Sequence, residues 1–171
     1  MKKLLFMLIV VCLSFSKQAE PVQIQADRFE VDISSNQFVA EDNVVIQQGE
    51  IMITAKRATY TSKRDFINID KDVSLKYQDL NLKSDVLVFD RVKQQMLAEG
   101  HLKVDNRDIN IVSERLRYDI DPNIILFLGE TTVIQKKNVI RGRNILYDVK
   151  KRKLSSTEKT QMRLESTPTN R

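Results

Sequence analysis

The chain repeats itself every 29 residues without a gap, and this period constrains its fold more than any other feature. Ala26, Ala55, Ser84, Ser113 and Gly142 fall in register, each 29 residues after the last. Two residues before these small anchors stand Ile24, Ile53, Leu82, Ile111 and Ile140. Five residues after them stand Val31, Tyr60, Phe89, Tyr118 and Tyr147. Further columns hold Phe38, Ile67, Met96, Ile125 and Leu154, and Ile46, Leu75, Val104, Val133 and Met162. A fixed period of this kind marks an array whose units cannot bury an apolar face alone and must stack on their neighbours.

Within each unit Asp, Asn and Gly cluster at three places. The first is DISSN (32–36), TSKRD (61–65), DRVKQ (90–94) and DIDPN (119–123). The second is EDN (41–43), DKD (70–72), EGH (99–101) and LGE (128–130); the third is QQGE (47–50), YQD (77–79), DNRD (105–108) and QKKN (135–138). Such residues punctuate strands through local side-chain bonding and positive φ. All three are therefore expected to separate short strands. Apolar residues at i, i+3, i+4 and i+7 are lacking, so a helical array does not fit.

The segment crossing each anchor breaks strand alternation. Ile111 and Ser113 share one parity, while Leu116 and Tyr118 take the other. The same switch follows Ala26, Ala55, Ser84 and Gly142. A strand changes inward parity only through an inserted residue or a bend. A small residue suits a corner where two layers approach. The expected fold is all-β: a solenoid-like stack of short strands, built from five 29-residue repeats that pair edge to edge and leave two open edges.

The N-terminus differs in kind. Lys2 and Lys3 precede the apolar run LLFMLIVVCL (4–13), and SFS (14–16) ends in small residues. This reads as an export signal cleaved after residue 16, or near Ala19. The run is shorter than the ~20 apolar residues of a membrane-spanning helix; left uncleaved, it would be an anchor. Cys12 lies inside it, so the exported protein holds no cysteine and no disulfide. Residues 22–165 form the repeat domain, and 166–171 a polar tail.

Two readings of the interior stay open. Val31, Phe38, Ile46, Ile53, Tyr60, Ile67, Leu75, Leu82, Phe89, Met96, Val104, Ile111, Leu116, Tyr118, Ile125 and Val133 either pack as a dry core or line an apolar trough for acyl chains. A stack of this kind ends in two open edges, which invite strand addition. Between Glu20 and Glu50 seven acids, Glu30 and Asp32 among them, face one base, Arg28. Between Lys136 and Lys153 eight bases, including Arg141, Arg143, Lys150 and Lys151, face one acid, Asp148. These runs are either solvated faces or the complementary edges of a head-to-tail assembly. Nucleic acid is not the expected partner despite a pI near 9.3, because the chain carries an export signal and lacks an aromatic and basic platform. No nucleophile elbow, zinc-protease motif or P-loop is present, the single His101 cannot build a His-rich metal site, and the acid pairs fall in turn columns; no enzyme, metal or cofactor is expected.

The segment IQADRFEVDISSNQFVAEDNVVIQQGEIMITAKRATY, repeated in LKSDVLVFD, MLAEGHLKV and IVSERLRYD, resembles the LptA/OstA family of periplasmic lipopolysaccharide-transport proteins. The resemblance covers about residues 22–155. It implies a twisted β-jellyroll of antiparallel strands, open at both ends, that holds the lipid A acyl chains of lipopolysaccharide inside. It also implies end-to-end bridging with copies of itself, with an LptC-like inner-membrane protein and with an LptD-like outer-membrane protein. An LptC-like anchored component and a structural extracytoplasmic β-solenoid with a dry core are the alternatives.

Overall fold

A computed structural model describes residues 21–151, 153–156 and 158–164. The expected export signal (1–16) and the expected polar tail (166–171) lie outside the described residues. The described residues form one twelve-stranded antiparallel sheet. Its strands are β1 (Gln23–Gln25), β2 (Arg28–Asp32), β3 (Gln37–Gln48), β4 (Ile51–Thr61), β5 (Phe66–Tyr77), β6 (Leu80–Asp90), β7 (Gln95–Asp105), β8 (Ile109–Asp119), β9 (Ile124–Gln135), β10 (Asn138–Asp148), β11 (Lys153–Ser156) and β12 (Gln161–Arg163). Each long strand pairs with the next in sequence. At one end β1 and β2 both pair with β3, and at the other β11 and β12 both pair with β10. The only helical element among the described residues is the 3-10 turn Ser62–Arg64.

The first and third clusters reverse the chain as expected. In the first, Asn36, Asp65, Gln94 and Asn123 all take positive φ, from 47° to 61°. Their carbonyls accept hydrogen bonds from the amides of Ser62, Arg91, Ile120 and Val149. Donors and acceptors alike recur at 29 residues, so the turns themselves are stitched into a ladder.

The second cluster does something else. It lies inside β3, β5, β7 and β9, which run on for 11 or 12 residues; the expectation of short strands ending there is corrected. Between the pairs Glu41–Arg57 and Val44–Ala55, β3 places two residues, Asp42 and Asn43, against Lys56 alone. The same two-against-one count recurs at Lys71 and Asp72 against Asp85, and at Gly100 and His101 against Glu114. These are β-bulges, and they bend the strand without ending it. Asp42, Lys71, Gly100 and Gly129 all have positive φ, as do Asn43, Asp72 and His101. A turn-forming residue therefore does not have to reverse the chain: two adjacent left-handed residues absorb one extra step within a continuous ladder.

Polar pairs tie the bulges across strands. The Asn43 amide donates to Asp27 at 2.7 Å. Lys56 meets Asp72 at 2.6 Å, and His101 Nδ1 meets Asp85 at 2.8 Å. Arg143 meets Glu130 at 3.1 Å.

The bulge line divides every long strand into two arms, and it accounts for the parity switch. On β4, Ile53 and Ala55 are buried before the bulge and Ala58 after it. The arm holding Tyr60 and its counterparts forms wall A; the arm holding Ile53 and its counterparts forms wall B. The deepest side chains sit beside the line: Val44, Ile69, Val73, Leu87, Leu102 and Ile145 are at most 2% exposed. The small anchors pack there too. Ser113 and Thr131 share a 2.8 Å hydroxyl hydrogen bond in the buried corner, whereas the buried Ser84 hydroxyl has no partner among the described residues.

Candidate functional site

The periodic apolar columns become two unbroken cross-strand ladders. On wall A the ladder begins Val31–Phe38–Tyr60–Ile67–Phe89. It continues Met96–Tyr118–Ile125–Tyr147–Leu154. On wall B it begins Ile24–Ile46–Ile53–Leu75–Leu82. It continues Val104–Ile111–Val133–Ile140–Met162. Each step joins residues directly opposite, so side chains from ten strand segments form one continuous apolar surface per wall.

Burial along the ladders is uneven. In the middle Leu75, Leu82, Met96, Val104, Ile111, Tyr118, Ile125 and Val133 are buried, and so is Ile53. Phe38, Ile46, Tyr60, Ile67 and Phe89 are half-buried. At the ends the ladders open to solvent: Val31 is 62% exposed, Leu154 37% and Met162 60%. Leu116 belongs to a further inner column near the bulges, between Ala98 and Phe127.

A cavity of about 170 Å³ lies between the walls in the N-terminal half. Ile46 and Ile53 of wall B face Ile67, Ile69 and Phe89 of wall A across it, and Gln48, Asp90, Arg91 and Gln95 rim its mouth. It falls short of the ~300–1,000 Å³ of sites that enclose a whole small molecule. The tyrosines have an amphipathic placement: their rings stand in the ladder, and their hydroxyls reach the turns. Tyr60 donates to Asp65 at 3.3 Å, and Tyr118 to Asn123 at 3.0 Å.

The charged residues are placed less simply. Glu30 and Asp32 lie on β2, at the N-terminal edge of the sheet. Asp32 is occupied locally. Its carboxylate accepts bonds from the amides and hydroxyls of Ser34 and Ser35, at 2.5–3.2 Å. The two serine hydroxyls and the amides hold its pKa down at about 2, against an ordinary 3.8. A depressed carboxylate pKa adds stability above the unfolded value, and that stability is lost as pH falls through the folded one. Asp32→Asn is therefore expected to lower the melting temperature above pH ~4. The gap to wild type should close between about pH 4 and pH 2, read from paired thermal scans.

Arg141 and Arg143 are not at the C-terminal edge. They lie on β10, which β11 and β12 cover, and Arg143 is engaged with Glu130 across the sheet. Lys150 and Lys151 sit in the β10–β11 turn; Lys151 pairs back to Asp148 at 3.1 Å. The edge reading of Arg141 and Arg143 is corrected because the chain folds back twice more after the last full repeat.

Apart from Leu116, the candidate residues named from the sequence miss the floor of the groove. Ile69, Leu87, Val73 and Leu102 are almost wholly enclosed. The signal was available: Ala40, Ile69, Ala98 and Phe127 recur at 29 residues, as do Val44, Val73, Leu102 and Thr131.

Comparison with known proteins places the chain. A family model for the LptA/(LptD N-terminal domain) LPS transport protein matches residues 23–153. The chain is 24% identical over 136 residues to the lipopolysaccharide export system protein LptH of Pseudomonas aeruginosa, covering 80% of this chain and 67% of that one. It is 25% identical over 161 residues to the lipopolysaccharide export system protein LptA of Haemophilus influenzae, covering 90% and 83%. A crystal structure of LptH, the LptA homologous periplasmic component of the lipopolysaccharide transport device of Pseudomonas aeruginosa, aligns with a TM-score of 0.38 at 17% identity, over 86% of this chain and 96% of that one. The matched stretch runs from β1 to the start of β11 and takes in both ladders except their last members, Leu154 and Met162, so the chain belongs to the LptA/LptD N-terminal domain family and is a lipopolysaccharide transport component, not an enzyme.

Proposed function

We propose that the exported chain is a periplasmic carrier that holds lipopolysaccharide by its acyl chains between walls A and B, and that it passes the lipid along from the inner towards the outer membrane. The sheet is read as a jellyroll open at both ends. One observation carries this: the two apolar ladders run without interruption from one terminal strand to the other, and their last members are left uncovered. A closed core would cap its ends, because exposed apolar area costs about 25 cal/mol per Å². The relatives are lipopolysaccharide export proteins, and acyl chains match a surface made of Ile, Leu, Val and aromatic rings.

The same open ends support end-to-end joining. The unpaired sides of β1 and β2, and of β11 and β12, offer backbone groups for strand addition. A second copy, an LptC-like protein at the inner membrane and an LptD-like protein at the outer membrane are the proposed neighbours. Light scattering at rising concentration should show growing assemblies; a strict monomer at every concentration and salt would count against joining.

The rival reading is a structural β-protein with a dry core. The burial in mid-ladder and the small cavity favour it, since a bound lipid requires the walls to part. Photo-crosslinking residues at Tyr60, Phe89 and Tyr118 are expected to capture lipopolysaccharide in cells, while the outward Thr59 and Arg117 do not. Capture from the outward positions alone would sink the carrier reading. A dry core would also leave a hydrophobic dye unbound.

A further inference from the structure

The two outer faces of the sheet differ in how they handle charge. On wall A cations are interspersed with acids: Arg28 and Arg57 both reach Glu41, at 3.3 and 3.5 Å, Arg117 reaches Asp119 at 3.2 Å, and Arg115 stands opposite Glu99. On wall B the outward positions carry Lys76, Lys83, Lys103, Arg141 and Arg163, all exposed. None of the five pairs with a described residue. The one acid among these positions, Asp105, is half-buried and accepts a bond from Asn81 at 3.1 Å. At the neighbouring turns Glu50 is held by Gln78 and Asp79 by Arg107. The bulge line above carries its own paired acids.

Lys83 and Lys103 stand directly opposite each other on β6 and β7. Like charges in that position destabilise a sheet, so folding alone does not account for the pair. From β5 to β10 the cations extend over five strand spacings, about 24 Å at ~4.8 Å each. This is the reach of a surface, not of a single ligand.

A second observation concerns apolar exposure. Among the described residues the exposed large hydrophobics lie on the terminal strands and the segments beside them, at the β6–β7 turn, or in one remaining group. That group is Met52, Val112 and Ile134, which are 36%, 43% and 38% exposed. All three point outward from wall B, in the same two cross-strand rows as the cations. Scattered apolar side chains among lysines and arginines are what an interfacial membrane face presents, with the cations at the phosphates and the apolar groups just below. A protein interface would favour aromatic anchors and few lysines. A nucleic-acid platform would need rings for stacking, and this face has none.

We propose that the outer face of wall B docks the protein on an anionic phospholipid membrane, with Lys76, Lys83, Lys103, Arg141 and Arg163 meeting lipid phosphates. The groove then opens away from the contact face, and the protein is held near a membrane surface without a spanning anchor.

The test is sedimentation of the full exported chain with lipopolysaccharide-free vesicles of phosphatidylglycerol in phosphatidylcholine. The wild type is expected to bind these, to ignore pure phosphatidylcholine, and to release as salt rises. Lys83→Gln/Lys103→Gln should weaken binding about 30-fold, from roughly a factor of five per cation at the surface. Arg57→Gln/Arg115→Gln on wall A should leave it unchanged. The double lysine variant should melt no lower than wild type, since a like-charge pair is removed, so lost binding is not lost folding. Wild-type binding by that variant, equal binding to neutral vesicles, or no binding at low salt would each overturn the proposal. Release by inorganic phosphate at matched ionic strength would overturn it in favour of a discrete phosphate site. Preference for an acidic peptide or a duplex oligonucleotide over the vesicles would overturn it in favour of that partner. The vesicles contain no lipopolysaccharide, so failure here leaves the groove reading untouched, and failure of the crosslinks leaves this one untouched.

Discussion

Leu102→Ala is expected to destabilise the protein by about 3–4 kcal/mol, seen as a lower denaturant midpoint at unchanged slope. Leu102 is fully enclosed on β7, directly opposite Ser113 on β8 and one residue past the bulge pair Gly100–His101. The corner cannot collapse onto the space left behind, because backbone on both sides is fixed by continuous ladders. The lost transfer energy and the cavity therefore add. Val112→Ala on the outer face of the adjacent strand gives the contrast; its cost should stay within about 0.5 kcal/mol, as for ordinary surface substitutions. A loss below about 1 kcal/mol for Leu102→Ala would show that the bulge line is a soft hinge instead of the packed floor of the groove.

Gly100→Val should cost about 3 kcal/mol or more, with two separable causes. Gly100 has φ +78°, a region where a β-branched residue is strained. A Cβ there would also lie 2.2 Å from Asp85 Oδ2 and 2.6 Å from Asp85 Cγ, and Asp85 is the carboxylate that holds His101. Adding Asp85→Ala should recover only part of the overlap, because the retained Asp85 Cβ would still lie 2.7 Å away, and should leave the part due to backbone. The same column supplies the opposite experiment. Lys71 occupies the equivalent bulge position at φ +67°. Left-handed backbone costs an L-residue about 1–2 kcal/mol, and glycine forfeits roughly 0.5–1 of that in chain entropy. Lys71→Gly is therefore expected to stabilise by about 0.5–1 kcal/mol, a rise of about 1–4 °C in Tm. Thermal scans of the three variants check all of this together.

The legibility of the candidate site differs between residues. Tyr60, Phe89 and Tyr118 stand one repeat apart in sequence and two strands apart in one ladder, because a period of two long strands returns each residue to the same face and height. That relation needs only counting. The parity switch was legible for the same reason. Its cause was not: EDN, DKD and EGH have the composition of reversing turns, and local chemistry alone cannot separate a reversal from a double left-handed bulge. The difference is whether the strand on either side finds a continuous partner, which is decided by residues far away in sequence, as when Lys56 faces Asp42 and Asn43.

The charged residues mark the other boundary. Arg141 and Arg143 sit near the end of the chain, yet β11 and β12 cover the strand that carries them. Position in sequence is not position at an edge. Lys83 and Lys103 lie 20 residues apart in sequence and meet only because β6 and β7 pair with the bulge between them.

The sequence by itself determined the all-β class, the 29-residue unit, the two apolar columns and the corner at each small anchor. These follow from side-chain alternation and period, which are properties of the linear chain. Tertiary structure alone decided that each strand is continuous through its bulge, that the two arms face each other across a cavity, and that five cations gather unpaired on one outer face. Those depend on which strands become neighbours and in what register, and register is set by the summed pairing of the whole sheet.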